Sequence, residues 1–428
     1  MTSPLRLGIA GLGTVGIGVV RIVQAHGALL AARTGKDIQI TAVSARSRGK
    51  DRGVDLAPYS WEDDPVALAK RPDVDVYVEL MGGSDGPAKA SVEAALEAGK
   101  AVVTANKAML AVHGQALAER AEAAKAPLRF EAAVAGGIPC IKALTEGLAG
   151  NQVDRVMGVM NGTCNYILTR MEASGLPYDD VFKEADALGY LEADPTLDVG
   201  GIDAGHKLAL LSAIAFGSQV DFSGVQLQGI ERVSIDDIHR ARDMGYRIKL
   251  LGQARRTEAG IEQSMRPTLV PADSPLGRLE GGMNMVVLEG DAVGQIVLQG
   301  AGAGEGPTAS AVMGDVCDIA RGFTLPPFGQ PADRLAPIRR ANAATACAHY
   351  VRLMLKDEPG ALARVATVLG DAGISIDRMR QYDHPGKDAP VLIVTHPCVP
   401  TDLAAALAGV TSTGVVSDDP VALQIQNP

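Results

Sequence analysis

At 428 residues the chain is longer than one hydrophobic core usually supports, so two or three domains are expected. The composition, 47% hydrophobic and 21% charged with no low-complexity run, is ordinary for a globular enzyme. A net charge of -10 argues against nucleic acid or an acidic membrane as partner, since both require concentrated positive surface.

In chain order, Leu5–Ala10 is a short apolar run that meets Gly11, Leu12, Gly13, Thr14, Val15 and Gly16, followed by a helical pattern through Ile17, Val20 and Val23. Further strands are predicted at 38–45, 74–80, 101–104 and 128–131, with helices such as 91–98 and 115–124 between them. Strands alternating with helices imply right-handed crossovers and a doubly wound parallel sheet covered on both faces. From about 137 the pattern becomes mixed α+β. Helices are expected near 138–148, 166–173, 179–188 and 203–216, a strand near 153–160, and extended runs at 264–271 and 284–299. The helix at 309–320 returns to the first domain. Prolines 326, 327, 331 and 337 mark residues 325–347 as a linker. Beyond it a βαββαβ order reads as a ferredoxin-like module. The expected division is 1–136 with the return helix 307–322, then 137–306, the linker 323–347, and 348–428.

The five cysteines (Cys140, Cys164, Cys317, Cys347, Cys398) are scattered and contain no CxxC pair, which predicts neither a zinc site nor a disulfide framework. No uncharged apolar stretch approaches bilayer length, and the first strand begins almost at once, leaving no room for a signal peptide. A cytoplasmic location is expected.

The glycines at 11, 13 and 16 lie where a dinucleotide site needs a tight turn, close approach to pyrophosphate and close helix–strand packing. After the second strand, where an NAD site usually carries an acid, stand Arg46, Arg48 and Lys50. Cations there suit a 2′-phosphate, favouring NADP with NAD still open. Thr104, Asn106 and Lys107 follow a strand at the carboxyl edge, where open α/β sheets bind ligands.

Residues 189–207 crowd Glu192, Asp198, Asp203 and Lys207 ahead of an apolar helix. Asp203 and Lys207, four apart, share one helix face. A lysine held there by an acid can give a proton to an oxygen that gains charge. His206 points off that face and reads as structural. Asn161–Tyr166 reads as small polar groups capping a helix, and Cys164 as a buried small residue rather than a nucleophile.

Together these stretches, with 131–139, 160–168 and 189–207, resemble the homoserine dehydrogenase family over essentially the whole chain. The resemblance implies reversible NAD(P)-dependent interconversion of L-homoserine and L-aspartate 4-semialdehyde. It implies Lys207 as proton donor and acceptor, Lys107 as a second lysine near substrate and cofactor, and Glu192, Asp198 and Asp203 as acids that position homoserine. It also implies a monovalent cation such as Na+ at Glu131 and the carbonyls of Val134, Gly136 and Ile138. Gly304, Glu305 and Gly306 resemble a loop that closes over the cofactor. No kinase domain precedes the dehydrogenase, so a monofunctional enzyme is expected, as a homodimer or homotetramer. Residues from about 349 resemble an ACT domain, and L-threonine is expected near 357–362 as an inhibitor. Deleting 345–428 is then expected to abolish threonine sensitivity and keep catalysis. Two other readings stay open: a dehydrogenase of another small amino acid, and a non-catalytic amino-acid sensor.

Overall fold

The computed structural model describes residues 3–191, 194–342, 344–382 and 388–427. Its first sheet is parallel and six-stranded, in the order Ser60–Trp61, Ile38–Ser44, Leu5–Ala10, Val76–Glu79, Ala101–Thr104, Leu128–Arg129. The central strands are apolar along nearly their whole length because both faces are covered. Helices Thr14–Thr34 and Glu305–Arg321 pack on one face, and helices Pro87–Glu97 and Lys107–Ala124 on the other. The strands are added outward in one direction up to Ser60–Trp61 and in the other from Val76–Glu79, so a crevice opens beyond the carboxyl ends of Leu5–Ala10 and Val76–Glu79.

Helix Thr14–Thr34 is long and apolar enough to cross a membrane by length and composition. It carries Arg21 and Arg33, so it is not one of the uncharged stretches that the expectation concerned. Within the fold its apolar character has another use: Ile17, Val19, Val20 and Val23 are buried against the sheet and helix Glu305–Arg321. A Cβ on Gly18 would come within 2.8 Å of both Ala309 Cβ and the Glu305 carbonyl oxygen, so the glycine sets the closeness of that helix pair.

The second sheet has ten strands. Its catalytic half runs Gly294–Ala301, Met283–Gly290, Val153–Val159, Tyr246–Thr257 and Gly260–Pro271. Helix Ile202–Phe216 lies between this half and helix Lys107–Ala124. Being enclosed on both sides explains why it is apolar almost all round. Two elements here were not anticipated. Strand Tyr246–Thr257 carries four cations, Arg247, Lys249, Arg255 and Arg256, and its residues 248–252 are buried in one run without alternation. Helix Ile235–Asp243 is short and polar, started by Ser234, whose hydroxyl accepts from the Asp237 amide.

The sheet continues without interruption into the C-terminal βαββαβ module. Strand Val421–Ile425 pairs in parallel with Gly260–Pro271, matching Thr268 to Gln424 and Leu269 to Ile425, and Ala348–Lys356, Asp388–Thr395 and Ile376–Gln381 follow. One face of this module joins the catalytic core through Tyr350, Leu392, Val394 and Leu423. The other is covered by helices Ala361–Asp371 and Pro400–Ser412. Arg352 Nε meets Asp237 Oδ1 at 2.6 Å, and Asp237 is only 1% exposed.

Residues 325–347, expected as a linker, form a strap pinned along the molecule. Phe328 is buried against Phe130 with ring centroids 5.2 Å apart, the Glu122 carboxylate accepts the Ala332 amide, and Arg340 pairs with Asp221 at 2.6 Å. Prolines here stiffen a docked segment rather than a free spacer. Deleting 345–428 would therefore uncover the edge of Gly260–Pro271 and orphan the buried Asp237. Breaking such a pair costs about 3–5 kcal/mol. Truncation is thus a poor test of regulation in this chain.

Candidate active site

The Gly-rich turn sits at the mouth of the crevice. Gly11 has φ +98°, and a Cβ there would lie 2.4 Å from the Leu80 carbonyl oxygen. A Cβ on Gly16 would lie 2.0 Å from the Gly11 carbonyl oxygen. Gly13 differs, since its missing Cβ points into open space at the cap of the helix that Thr14 and Val15 begin. Unpaired amides at a helix start facing open room suit a pyrophosphate, so the turn fits a dinucleotide. This contrast gives a prediction. Gly16→Ala should lower the melting temperature, whereas Gly13→Ala should keep it and weaken coenzyme binding, as fluorescence titration with NADPH would measure.

Arg46, Arg48 and Lys50 are exposed in the loop after strand Ile38–Ser44. The residue that ties this loop to the turn is Arg52, which was not singled out. Its Nε donates to the Leu12 carbonyl at 3.2 Å and its Nη2 to the Ser47 carbonyl at 2.7 Å. Arg48 and Arg52 also lie over the Trp61 ring, at 6.0 and 5.7 Å. Gly304 caps helix Glu305–Arg321 at φ +111°, and the Glu305 carboxylate is committed to Arg21 at 2.6 Å.

Deeper in the crevice, Thr104 and Asn106 serve the scaffold. The Thr104 hydroxyl donates to Glu79 Oε2 at 2.6 Å and accepts the Asn106 amide at 3.0 Å. Asn106 Oδ1 caps helix Lys107–Ala124 through the Met109 amide, and its Nδ2 donates to the Gly83 carbonyl. Glu79 is fully buried and also accepts the Met81 amide. Nothing in a strand-end glutamate announces this, since its partner lies 25 residues away. The result is a rigid start for the helix whose first residue is Lys107.

Lys107 Nζ meets Asp203 Oδ1 at 2.9 Å, and Lys207 Nζ meets Asp203 Oδ2 at 2.7 Å while donating to the Met160 carbonyl at 2.8 Å. Two ammonium groups from different domains thus grip one carboxylate. Burial alone would raise the Asp203 carboxyl, but the charges of Lys207 and Lys107 outweigh it and hold the group well below the usual carboxylate range. Asp198, buried in Thr196–Val199, accepts from Asn161 Nδ2 at 2.8 Å, and the same nitrogen lies 3.4 Å from Asp203 Oδ2. Asn161 also caps helix Gly162–Ser174 through the Cys164 amide. It therefore bridges both acids, a role the capping pattern does not reveal. Glu192 lies outside the described residues. His206 packs its ring against Phe222, with centroids 4.1 Å apart and planes tilted by 48°, and burial lowers its pKa. Burial pushes the Cys164 thiol well up, in keeping with an inert side chain.

Glu131 is 3% exposed beside the hinge between domains. Its carboxylate accepts the Ile141 and Lys142 amides at 2.9 and 2.8 Å, and its own amide donates to Asp315 Oδ2. Burial and then Asp315 push its pKa up to about 7. Ala135 and Gly136, at φ +54° and +52°, turn the 134–138 backbone that follows. In that turn the Val134 carbonyl accepts from Cys140 Sγ at 3.6 Å and the Ile138 carbonyl from the Cys140 amide at 2.8 Å. Among the described residues no three His, Cys, Asp or Glu side chains gather as a metal site, so backbone oxygens would supply most of the ligands.

Comparison with known proteins agrees with this geometry. The family described as homoserine dehydrogenase matches residues 139–317, its NAD-binding domain matches 11–131, and the ACT domain matches 349–408. The homoserine dehydrogenase of Pseudomonas aeruginosa is 41% identical, over 99% of each chain. The crystal structure of a homoserine dehydrogenase from Thiobacillus denitrificans superposes with a TM-score of 0.93 at 39% identity, over 99% of each chain. A hyperthermophilic archaeal homoserine dehydrogenase mutant in complex with NADPH is 27% identical, with a TM-score of 0.64 over 75% of this chain and 98% of that one.

Proposed function

This chain belongs to the homoserine dehydrogenase family, and from that premise we propose how its own residues carry the reaction. The reaction is the reversible NAD(P)-dependent interconversion of L-homoserine and L-aspartate 4-semialdehyde. The observation that carries the assignment of roles is the buried Lys107–Asp203–Lys207 cluster. When bound, the coenzyme's nicotinamide gives or takes the hydride at the substrate carbon. Lys207 Nζ supplies the proton to the aldehyde oxygen as charge builds there, and takes it back in the oxidative direction. Asp203, ionised at neutral pH, holds the Lys207 ammonium aimed. Lys107 adds a second positive charge at the same end of the crevice. Asp198 and Glu192 hold the amino and hydroxyl groups of homoserine.

Gly11 to Gly16 receive the pyrophosphate, while Thr104 and Asn106 act by fixing the start of the Lys107 helix. Arg46 and Lys50 favour NADP over NAD. Gly304 and Glu305 close the coenzyme side. Glu131 with the carbonyls of Val134, Gly136 and Ile138 holds Na+ and steadies the hinge. The protein works as a homodimer or homotetramer in the cytoplasm, with domain limits near 136, 306 and 347. L-Threonine binds at 357–362 in the ACT domain and lowers activity.

One assay tests most of this: homoserine-dependent coenzyme reduction, followed by NADPH or NADH absorbance, with and without Na+ and L-threonine. The expected result is turnover with a higher kcat/KM for NADP, stimulation by Na+, and inhibition by threonine that Gly360→Ala abolishes by straining the left-handed cap of helix Ala361–Asp371. Equal use of NAD would remove the role given to Arg46 and Lys50. Inhibition undiminished in Gly360→Ala would remove the effector site.

A further inference from the structure

A polar cleft of about 680 Å3 lies where the catalytic sheet, the strap and the C-terminal module meet, away from the crevice described above. On its floor Arg155 and Arg255 stand directly opposite each other on paired strands. Like charges in that register repel. Arg155 is neutralised by Glu289, with nitrogen–oxygen distances of 2.8 and 2.5 Å. Arg255 has no ion pair or hydrogen bond among the described residues. Arg266, on the next strand, has only Gln226 as a side-chain partner, and its buried Nε is unpaired. Both guanidinium groups act electrostatically on Cys347, on the strap side of the cleft, so their charges converge there. Glu262 and Glu289 are the acids nearest these two arginines, yet neither closes a direct ion pair with them among the described residues.

The cleft also holds acceptors. Glu262 faces Arg255 across the strand pair, with its carboxylate turned to the Thr345 hydroxyl at 2.9 Å. Two guanidinium groups, neither closed into an ion pair, beside a carboxylate complement a zwitterion better than a phosphate, which Glu262 would repel.

We propose that this cleft binds a small α-amino acid, its carboxylate held by Arg255 and Arg266 and its ammonium turned toward Glu262. Such a ligand would bridge the catalytic sheet and the C-terminal module, whose residues Thr401 and Gln424 also line the cleft. The inference stands apart from the threonine site proposed at 357–362, and one variant tells the two apart.

The test uses the full chain. Pools of the common amino acids at millimolar concentration are screened by thermal shift, and any hit is titrated by calorimetry against wild type and Arg255→Gln. Because Arg255 lacks a partner and opposes Arg155, the substitution should leave the melting temperature unchanged or slightly higher. A hit bound at least tenfold more weakly by Arg255→Gln, and not replaceable by its carboxamide, is the expected outcome. Three outcomes overturn the proposal: no amino acid stabilises the protein, a hit binds Arg255→Gln as tightly as wild type, or inorganic phosphate binds in its place.

Discussion

Replacing Lys207 by alanine is expected to lower kcat by about 10²–10⁴-fold, the usual contribution of a positioned general acid. The ammonium is 8% exposed and fixed by the Asp203 carboxylate and the Met160 carbonyl, so no other group reaches the same spot without rearrangement. Lys107 cannot simply take over, because it approaches Asp203 through the other oxygen and from the other domain. Lys207→Arg makes the argument sharper. It keeps a positive charge for Asp203, but a guanidinium does not release its proton at working pH. Its kcat should therefore stay low while the fold and NADPH binding are preserved, as circular dichroism and fluorescence titration would report. His206→Ala, on the adjacent face against Phe222, should keep kcat near wild type. Near-normal turnover in Lys207→Ala would remove it as proton donor.

Replacing Asp203 by asparagine is expected to cost both turnover and stability. The carboxylate touches both lysines, and removing it leaves two ammonium groups facing each other, that of Lys207 in a buried position. Loss of one member of a buried pair costs about 3–5 kcal/mol. The pH dependence has a definite sign. Asp203 titrates well below an ordinary carboxyl, so its stabilisation is fully present above the unfolded value of about 4 and is lost as pH falls below it. Denaturant unfolding should show a large gap between wild type and Asp203→Asn at neutral pH, narrowing steadily in acid. A gap that stays constant from neutral pH to strong acid would mean that the carboxylate's charge is not what stabilises the cluster.

Much of this protein was legible in its residues because the signals are local. The strand–glycine–helix pattern at 5–23 has a period change and a turn chemistry that need no partner to be read. The four-residue spacing of Asp203 and Lys207 puts them on one face of any helix, and they do meet at 2.7 Å. The βαββαβ order of the C-terminal module likewise follows from alternation and turn residues. Strand Tyr246–Thr257 escaped because residues 248–252 are buried in one run that includes Lys249, so it shows no alternation to read.

What only the tertiary structure decided are the encounters between distant segments. Lys107 reaches Asp203 from a different domain, and Glu79 finds Thr104 across neighbouring parallel strands. Asn161 looks like a cap in sequence and becomes a bridge because Thr196–Val199 and the start of helix Ile202–Phe216 pack over it. Arg52 locks the basic loop to the Gly-rich turn for the same reason. Prolines at 326–337 read as a linker, yet Phe328 and Arg340 dock the segment as a strap, and a two-residue parallel match joins the regulatory module to the catalytic sheet. Periodicity and spacing act over one or two turns of chain. Which carboxylate faces which lysine depends on the packing of whole layers, and that becomes visible only once the layers are assembled.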